Sequence, residues 1–355
     1  MNPRDLLLRP VALADLPALE RIAAASEHGI SSLPNDQAKL RARIERSAEA
    51  FASPDDASGE ETYLFVLDDR SRGEVVGSSG IAASAGFHDR FYSYRNEFVV
   101  HASAALGVSN RLHTLHLCHD LSGYTLLTSF YIDPAYAHGP APQLLSRARL
   151  LFILQFAERF NQRIAAENPG LADRDGQSPF WDAVGRRFFD MDYPQAEAVT
   201  GGRNKAFIAD LMPHSPIYVP LLPEAAQWAI GQLHPVGELP FSILQEEGFD
   251  ADTYIDIFDG GPTVEADLGL LRSVRHARRL AVQGAAMNAG QAVWHLAVSA
   301  DRADFRAVLC ELPLAAHTLA PQHELALRLA QGVGDQILTT PLWPESAEAV
   351  VRSRP

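Results

Sequence analysis

The chain has 355 residues, 47% hydrophobic and 21% charged, and a net charge of -14. That is the composition of an ordinary globular protein with room for two or three domains. The acidic balance speaks against a nucleic-acid-binding face, and no stretch reaches the roughly 20 apolar residues that cross a bilayer.

Leu6-Leu7-Leu8-Arg9-Pro10 reads as a short strand that Pro10 closes, and Met1 to Pro10 lacks the long apolar run of a secretory signal. Asp15-Leu16-Pro17 reads as a helix start with Asp15 at the N-cap, and Leu19, Ile22 and Ala23 recur at helical spacing. A second amphipathic helix is expected from Asp36 to Ala50, then a loop from Ser53 to Glu61. Tyr63 to Leu67 and Glu74 to Ala82 read as an antiparallel pair of strands. Thr125 to Ile132 is the clearest strand, ended by Asp133-Pro134, and a well-buried helix is expected from Pro142 to about Asn161.

Two later segments echo each other. Phe180 to Phe189 and Ile243 to Phe249 each read as a short helix closed by a glycine, Gly185 or Gly248, with an aromatic after it. The echo points to two related halves. After Asp267 the chain turns to short alternating runs such as Ala292 to Val298, preceded by Arg272, Arg275, Arg278 and Arg279. The expected division is therefore 1–210, 211–267 and a small β-rich C-terminal domain over 268–355.

Cys118 and Cys310 form no CxxC pattern and read as reduced thiols of a cytoplasmic protein. His113, His116 and His119 are spaced by three, which suits a helix, while the leucines among them also suit a strand; no metal site is expected from them. His234 follows Gly231 in a loop with Pro235 behind it, where a side chain can reach a cleft. The bland reading is a loop histidine bonded to backbone; the functional one is a proton donor. Asp256 and Asp259 stand in Asp256-Ile257-Phe258-Asp259-Gly260-Gly261-Pro262, a sharp turn by composition. Their alternative role is to bind the guanidinium or ammonium of a substrate.

A strand, a Pro turn and a helix N-terminus at Phe130 to Pro142 can offer N–H groups to a pyrophosphate. Acetyltransferases of the GNAT type hold coenzyme A in this way, with a loop Arg/Gln-x-x-Gly-x-Gly/Ala. Here the loop reads Ala137-His138-Gly139-Pro140-Ala141-Pro142, with no basic residue and with Pro at both glycine positions. Each Pro removes a donor. Arg147 or Arg149 on the following helix, or a cation from a partner chain, would have to compensate.

Further runs identify a family. Val100-His101-Ala102-Ser103, Ser178-Pro179-Phe180-Trp181, Arg187-Phe188-Phe189, Lys205-Ala206-Phe207-Ile208-Ala209, Pro216-Ile217-Tyr218, Gly231-Gln232, His234-Pro235 and Tyr254 to Thr263 resemble arginine N-succinyltransferase, in order, within about residues 5 to 267. Phe91 to Glu97, Leu117 to Leu121 and Tyr218 to Pro223 are similar to the α subunit of the two-subunit arginine/ornithine succinyltransferase. The resemblance implies an α+β fold with a duplicated GNAT-like acyltransferase core. It also implies transfer of succinyl from succinyl-CoA to the α-amine of arginine or ornithine, with no permanently bound cofactor. A homologous β subunit or self-association, and a cytoplasmic location, are implied as well. His234 takes the family's proton-donor position and Phe130 its succinyl-CoA contact. Position 130 usually holds another apolar residue, so a main-chain contact is expected there. The damaged loop leaves a second option, a non-catalytic or regulatory subunit beside an active homologue; an acyltransferase acting on another amine is a third.

Overall fold

The computed structural model describes residues 2–25, 33–53, 57–173, 176–200, 211–283 and 291–343. The loop expected over Ser53 to Glu61 lies partly outside these residues; the run Lys205 to Ala209 and the boundary expected at residue 210 lie wholly outside.

Strand β1 (Leu6–Pro10) leads through a tight turn into helix α1 (Leu16–Ala25) and then α2 (Gln37–Ala52). Asp36 caps α2, its side chain accepting the Lys39 N–H. Asp15, expected as the cap of α1, does something else: it lies in the turn before the helix and accepts the Ala12 N–H and both Nη atoms of Arg9. Strands β2 (Thr62–Asp69) and β3 (Glu74–Ala82) pair antiparallel, as the alternation predicts. A long hairpin follows, β4 (Ser93–Ser103) and β5 (Val108–Cys118), so His113 and His116 are strand residues.

Next come β6 (Thr125–Ile132), α3 (Pro140–Gln155) and β7 (Arg163–Glu167). The α3 helix starts two residues before the expected Pro142 and ends six before Asn161, because Phe156 leaves helical geometry at φ -123 and ψ 46. Short helices α4 (Pro179–Ala183), α5 (Arg186–Phe189) and α6 (Tyr193–Thr200) precede β8 (Ile217–Tyr218), α7 (Glu224–Ala229), α8 (Glu238–Glu247), β9 (Asp250–Ile255) and β10 (Pro262–Asp267). The C-terminal part holds α9 (Arg272–Arg275), β11 (Arg278–Val282), β12 (Ala292–Val298), β13 (Ala307–Pro313), β14 (Thr318–Leu319), α10 (Glu324–Arg328) and β15 (Gln336–Pro341).

The strands run in one sheet of order β14-β11-β15-β12-β13-β1-β2-β3-β6-β7-β10-β9-β4-β5-β8. The β-rich C-terminal part extends this sheet through β13, which pairs with β1 at Leu7↔Val308 and Leu8↔Ala307. Residues 211–267 add β9 and β10 to the same sheet beside β7. Of the two echoing glycines, Gly248 closes α8 with φ 105. Gly185 does not: its φ is -62, and a Cβ there would lie 2.1 Å from the Trp181 ring, so close approach rather than a left-handed cap demands glycine.

Strand β2 shows why the sheet is covered on both faces. Leu64 and Val66 point to α1 and α2, packing with Leu19, Leu40 and Ile44, while Tyr63, Phe65 and Leu67 point to α3. The α3 helix is apolar around most of its girth and buried accordingly. At its centre Phe152 is fully buried and meets Phe51, Phe65 and Phe305 edge to face. Phe305 comes from the C-terminal part, so one core spans the chain. Phe152→Ala should therefore lower stability by about 3–5 kcal/mol, the usual cost of a large core truncation, as read from the urea midpoint.

Candidate active site

Strand β6 pairs with β3 on one side and in parallel with β7 on the other. The parallel pairing has only two register positions, Thr125↔Ile164 and Leu126↔Ala165, after which the strands part. On the β3 side a bulge interrupts the register between Ser78 and Gly80, opposite Ser129, whose φ is 56. Gly80 makes room for it, since a Cβ there would lie 2.8 Å from Thr128 Oγ1. The bulge is held on several sides: the Ser78 hydroxyl donates to Ser129 O at 3.1 Å, and Arg43 Nη2 donates to Ser129 Oγ. Phe130 follows, half-buried, packed on the core beneath α3 and with the Arg149 guanidinium over its ring at 5.8 Å.

The same count of residues along the two parallel strands leads from Thr125 to Phe130 and from Ile164 to Pro169. Pro169 O accepts the His234 N–H at 2.9 Å, and Gly170 bridges to Leu233. Phe130 and Pro169, the residue that anchors His234, thus lie equally far along the chain from the first pair of the two strands. His234 is half-buried and caps the turn Pro235–Gly237, its Nδ1 accepting the Val236 N–H at 3.4 Å.

The acidic turn braces the loop that carries His234. Asp259 accepts the Gly170 N–H on Oδ2 and the Gly261 N–H on Oδ1, both at 2.8 Å, with the Tyr193 hydroxyl at 3.3 Å. Asp256 Oδ1 accepts the Phe258 N–H at 2.6 Å, and Gly231 N–H donates to Gly260 O at 2.8 Å. Asp256 and Asp259 are 8% and 5% exposed. The sequence offered both carboxylates to a substrate cation; in the structure both Asp259 oxygens are taken by main-chain donors. Among the described residues no hydrogen bond joins Phe130 to this cluster.

The start of α3 differs from its expectation as well. Gly139 takes φ 83 and ψ -145 to turn the chain into the helix, and Pro140 and Pro142 are residues of the first turn, not of a loop. Of the four N–H groups a helix leaves open at its start, only those of Gly139 and Ala141 remain. Arg147 and Arg149, two of the cations named as possible compensation, are bonded to other groups. Arg147 is fully buried against Glu246 at 2.6 Å and Glu247 at 2.8 Å. Arg149 is 2% exposed and donates to Ser146 O, Ser146 Oγ and Thr128 O. Among the described residues no group of three or more His, Cys, Asp or Glu is arranged to hold a metal ion.

Residues 6–273 match the family described as Arginine N-succinyltransferase beta subunit. The chain belongs to the arginine N-succinyltransferase family. It is 47% identical to the arginine N-succinyltransferase subunit alpha of Pseudomonas aeruginosa, over 93% of this chain and 97% of that one. It is 42% identical to the arginine N-succinyltransferase of Salmonella schwarzengrund, over 78% and 80% of the two chains. Its fold superposes on the solved arginine/ornithine succinyltransferase subunit AI of Pseudomonas aeruginosa with a TM-score of 0.83, at 43% identity and covering 96% and 99% of the chains. Of the two relatives named, the alpha subunit is the more similar and is matched over nearly its whole length, as the sequence runs implied. No helix among the described residues is long and apolar enough to cross a membrane.

Sequence reasoning missed Arg43 and Ser129. A signal for Arg43 was present: it falls on the α2 stripe of Leu40, Ile44 and Ser47, all buried, where a charged residue is out of place. Ser129 gave none, since a left-handed serine has no compositional mark. Within the acidic turn, burial and the neighbouring Asp256 push the Asp259 carboxyl up to about 7, against the pull of the Gly170 and Gly261 donors. The folded state therefore holds a proton that the unfolded chain releases near pH 3.9. The stability this gives is complete below that pH and is lost as pH rises through about 7. Relative to Asp259→Asn, the wild type should lose stability between pH 4 and 7; thermal unfolding at several pH values checks this, and the opposite slope would reject it.

Proposed function

We propose that this chain transfers the succinyl group of succinyl-CoA to the α-amine of arginine or ornithine on a GNAT-type core, in a cytoplasmic enzyme that assembles with a homologous subunit. The observation that supports the reading is the short β6–β7 pairing, with Phe130 and the Pro169 that anchors His234 each five residues beyond its first pair. Where the strands part, the pantetheine arm lies beside β6. The main chain at Phe130 steadies the thioester carbonyl. The neutral amine attacks it, and charge develops on the carbonyl oxygen, where fixed N–H donors count most. His234, backed by the Pro169 carbonyl and the braced acidic turn, gives its proton to the departing thiolate as the C–S bond breaks, and the proton that the amine nitrogen sheds on becoming an amide restores the histidine. Asp256 and Asp259 hold the turn that orients this histidine. No covalent enzyme intermediate is formed.

The two prolines at the start of α3 favour a second reading, in which the chain supports an active homologue rather than turning over itself. Thiol release from succinyl-CoA by the purified chain alone, with arginine, ornithine and lysine compared, separates the two; turnover by the lone chain rejects the supporting role. In the active form His234→Ala should lower kcat by about 100-fold or more, the scale of a lost general acid, with the circular dichroism spectrum unchanged. Near wild-type turnover by the folded variant would remove His234 from the mechanism.

A further inference from the structure

We propose that the outer half of the β4–β5 hairpin is a self-association surface, on which the free edge of β4 pairs antiparallel with β4 of a second copy of this chain. The inference goes beyond the succinyl-transfer reading and stands without it.

Main-chain partners come first. The two strands pair with each other along their whole length, from Ser93↔Cys118 to Ser103↔Val108. Outside the hairpin, β4 meets β9 only at Tyr94 and Arg95, and β5 meets β8 only at Thr114 and Leu115. Among the described residues no other strand pairs with Glu97 to Ser103 or with Val108 to His113. The outer half is therefore a two-stranded ribbon with two open edges, an arrangement that is barely stable alone in water. Proteins guard such edges with lysine, proline or a bulge. The β4 edge has none of these: it reads Glu97-Phe98-Val99-Val100-His101-Ala102-Ser103, and its register with β5 is unbroken.

Side chains point the same way. Alternation puts Tyr94, Phe98 and Val100 on one face of β4. Tyr94 is buried and meets the Phe180 ring, while Phe98 and Val100, farther out on that face, are 54% and 66% exposed. Arg111 lies 4.1 Å from the centre of the Phe98 ring, and the His113 ring stacks on it at 5.1 Å. Phe98 is thus a positioned aromatic, the kind of side chain that anchors interfaces.

Charge and register name the occupant. The chain has 44 acidic residues, yet none between Phe98 and His119, so two copies of net charge -14 meet here without setting carboxylate against carboxylate. Antiparallel pairing centred on Val100 brings Val100 opposite its own copy and Phe98 opposite Ala102. Glu97 then faces Ser103 and stays about 20 Å from the other Glu97, six residues along an extended strand. The product is a four-stranded ribbon with an apolar face, closed by a two-fold axis.

Sedimentation velocity on the purified full chain tests this. The wild type should be a dimer at micromolar concentration, and amide exchange over residues 97–103 should slow as protein concentration rises. Val100→Lys sets two lysines opposite each other at the axis and should raise the dimer Kd by about 100-fold or more, with the circular dichroism spectrum unchanged. Trp228→Lys, at an exposed apolar residue of α7, should leave the Kd as it is. A wild type that stays monomeric overturns the proposal, whether or not an added homologous subunit binds the ribbon. Dimerisation that survives Val100→Lys, or that is lost with Trp228→Lys, also overturns it. Should Val100→Lys fail to fold, the exchange comparison on the wild type decides: protection of residues 97–103 that does not change with concentration overturns the assignment.

Discussion

The parallel pairing of β6 with β7 stops after two residue pairs, and the proposed site depends on that stop. Main-chain donors and acceptors need partners, so a strand that leaves its neighbour in mid-sheet must be held by other means. Here the means are visible. The bulge at Ser129 shifts the register with β3, Gly80 yields the space, Ser78 and Arg149 bond the Ser129 and Thr128 carbonyls, and α3 covers one face with apolar side chains. A straight, fully paired β6 would leave no opening between Phe130 and the loop at Pro169.

The α3 helix bears much of this load, and its own anchorage is electrostatic. Glu247, 1% exposed, accepts from Arg272 Nη2 at 2.6 Å and from the Ser273 N–H at 2.7 Å, with Arg147 Nε at 2.8 Å as an ion pair rather than an aligned hydrogen bond. The same two arginines reach the end of β15, Arg147 donating to Leu342 O and Arg272 to Pro341 O. One carboxylate thus joins α3, α8, α9 and the C-terminal sheet. A buried network of this kind adds little net stability, but removing one partner strands the others in a medium of low polarity. Arg147 is therefore a fixture of the fold.

How much of this could be read from the sequence depended on the distance over which each feature is decided. Strands β1, β2, β3 and β6 and helix α2 are set by neighbours within a few residues, and the pattern showed them. The β4–β5 hairpin was ambiguous because three histidines at a spacing of three fit a helix as well as a strand. Gly185 looked like a cap, although its reason is the Trp181 ring four residues earlier, a contact that no turn rule contains. The partners of the buried charges lie far along the chain, Glu246 being 99 residues from Arg147. For the same reason the sequence could offer Arg147 to a phosphate, and Asp259 to a substrate, with nothing local to object.

The two ends of the proposed site have fared differently. At the acyl end the bulge at Ser129 and the braced His234 loop are each held by several hydrogen bonds of their own. At the nucleotide end the first turn of α3 has lost two of its four open donors to proline, and no Lys or Arg stands between residues 134 and 146. On the succinyl-transfer reading these losses fall on different quantities. Contacts to phosphates far from the reacting carbon are the same in ground and transition states, so weakening them raises KM; contacts that strengthen as the carbonyl becomes an oxyanion govern kcat. On that reading the two prolines would weaken the hold on coenzyme A and leave the acyl chemistry intact. A cation supplied by a neighbouring subunit would restore that hold without touching the acyl end, and with a chain of net charge -14 the cation has to be well placed to matter.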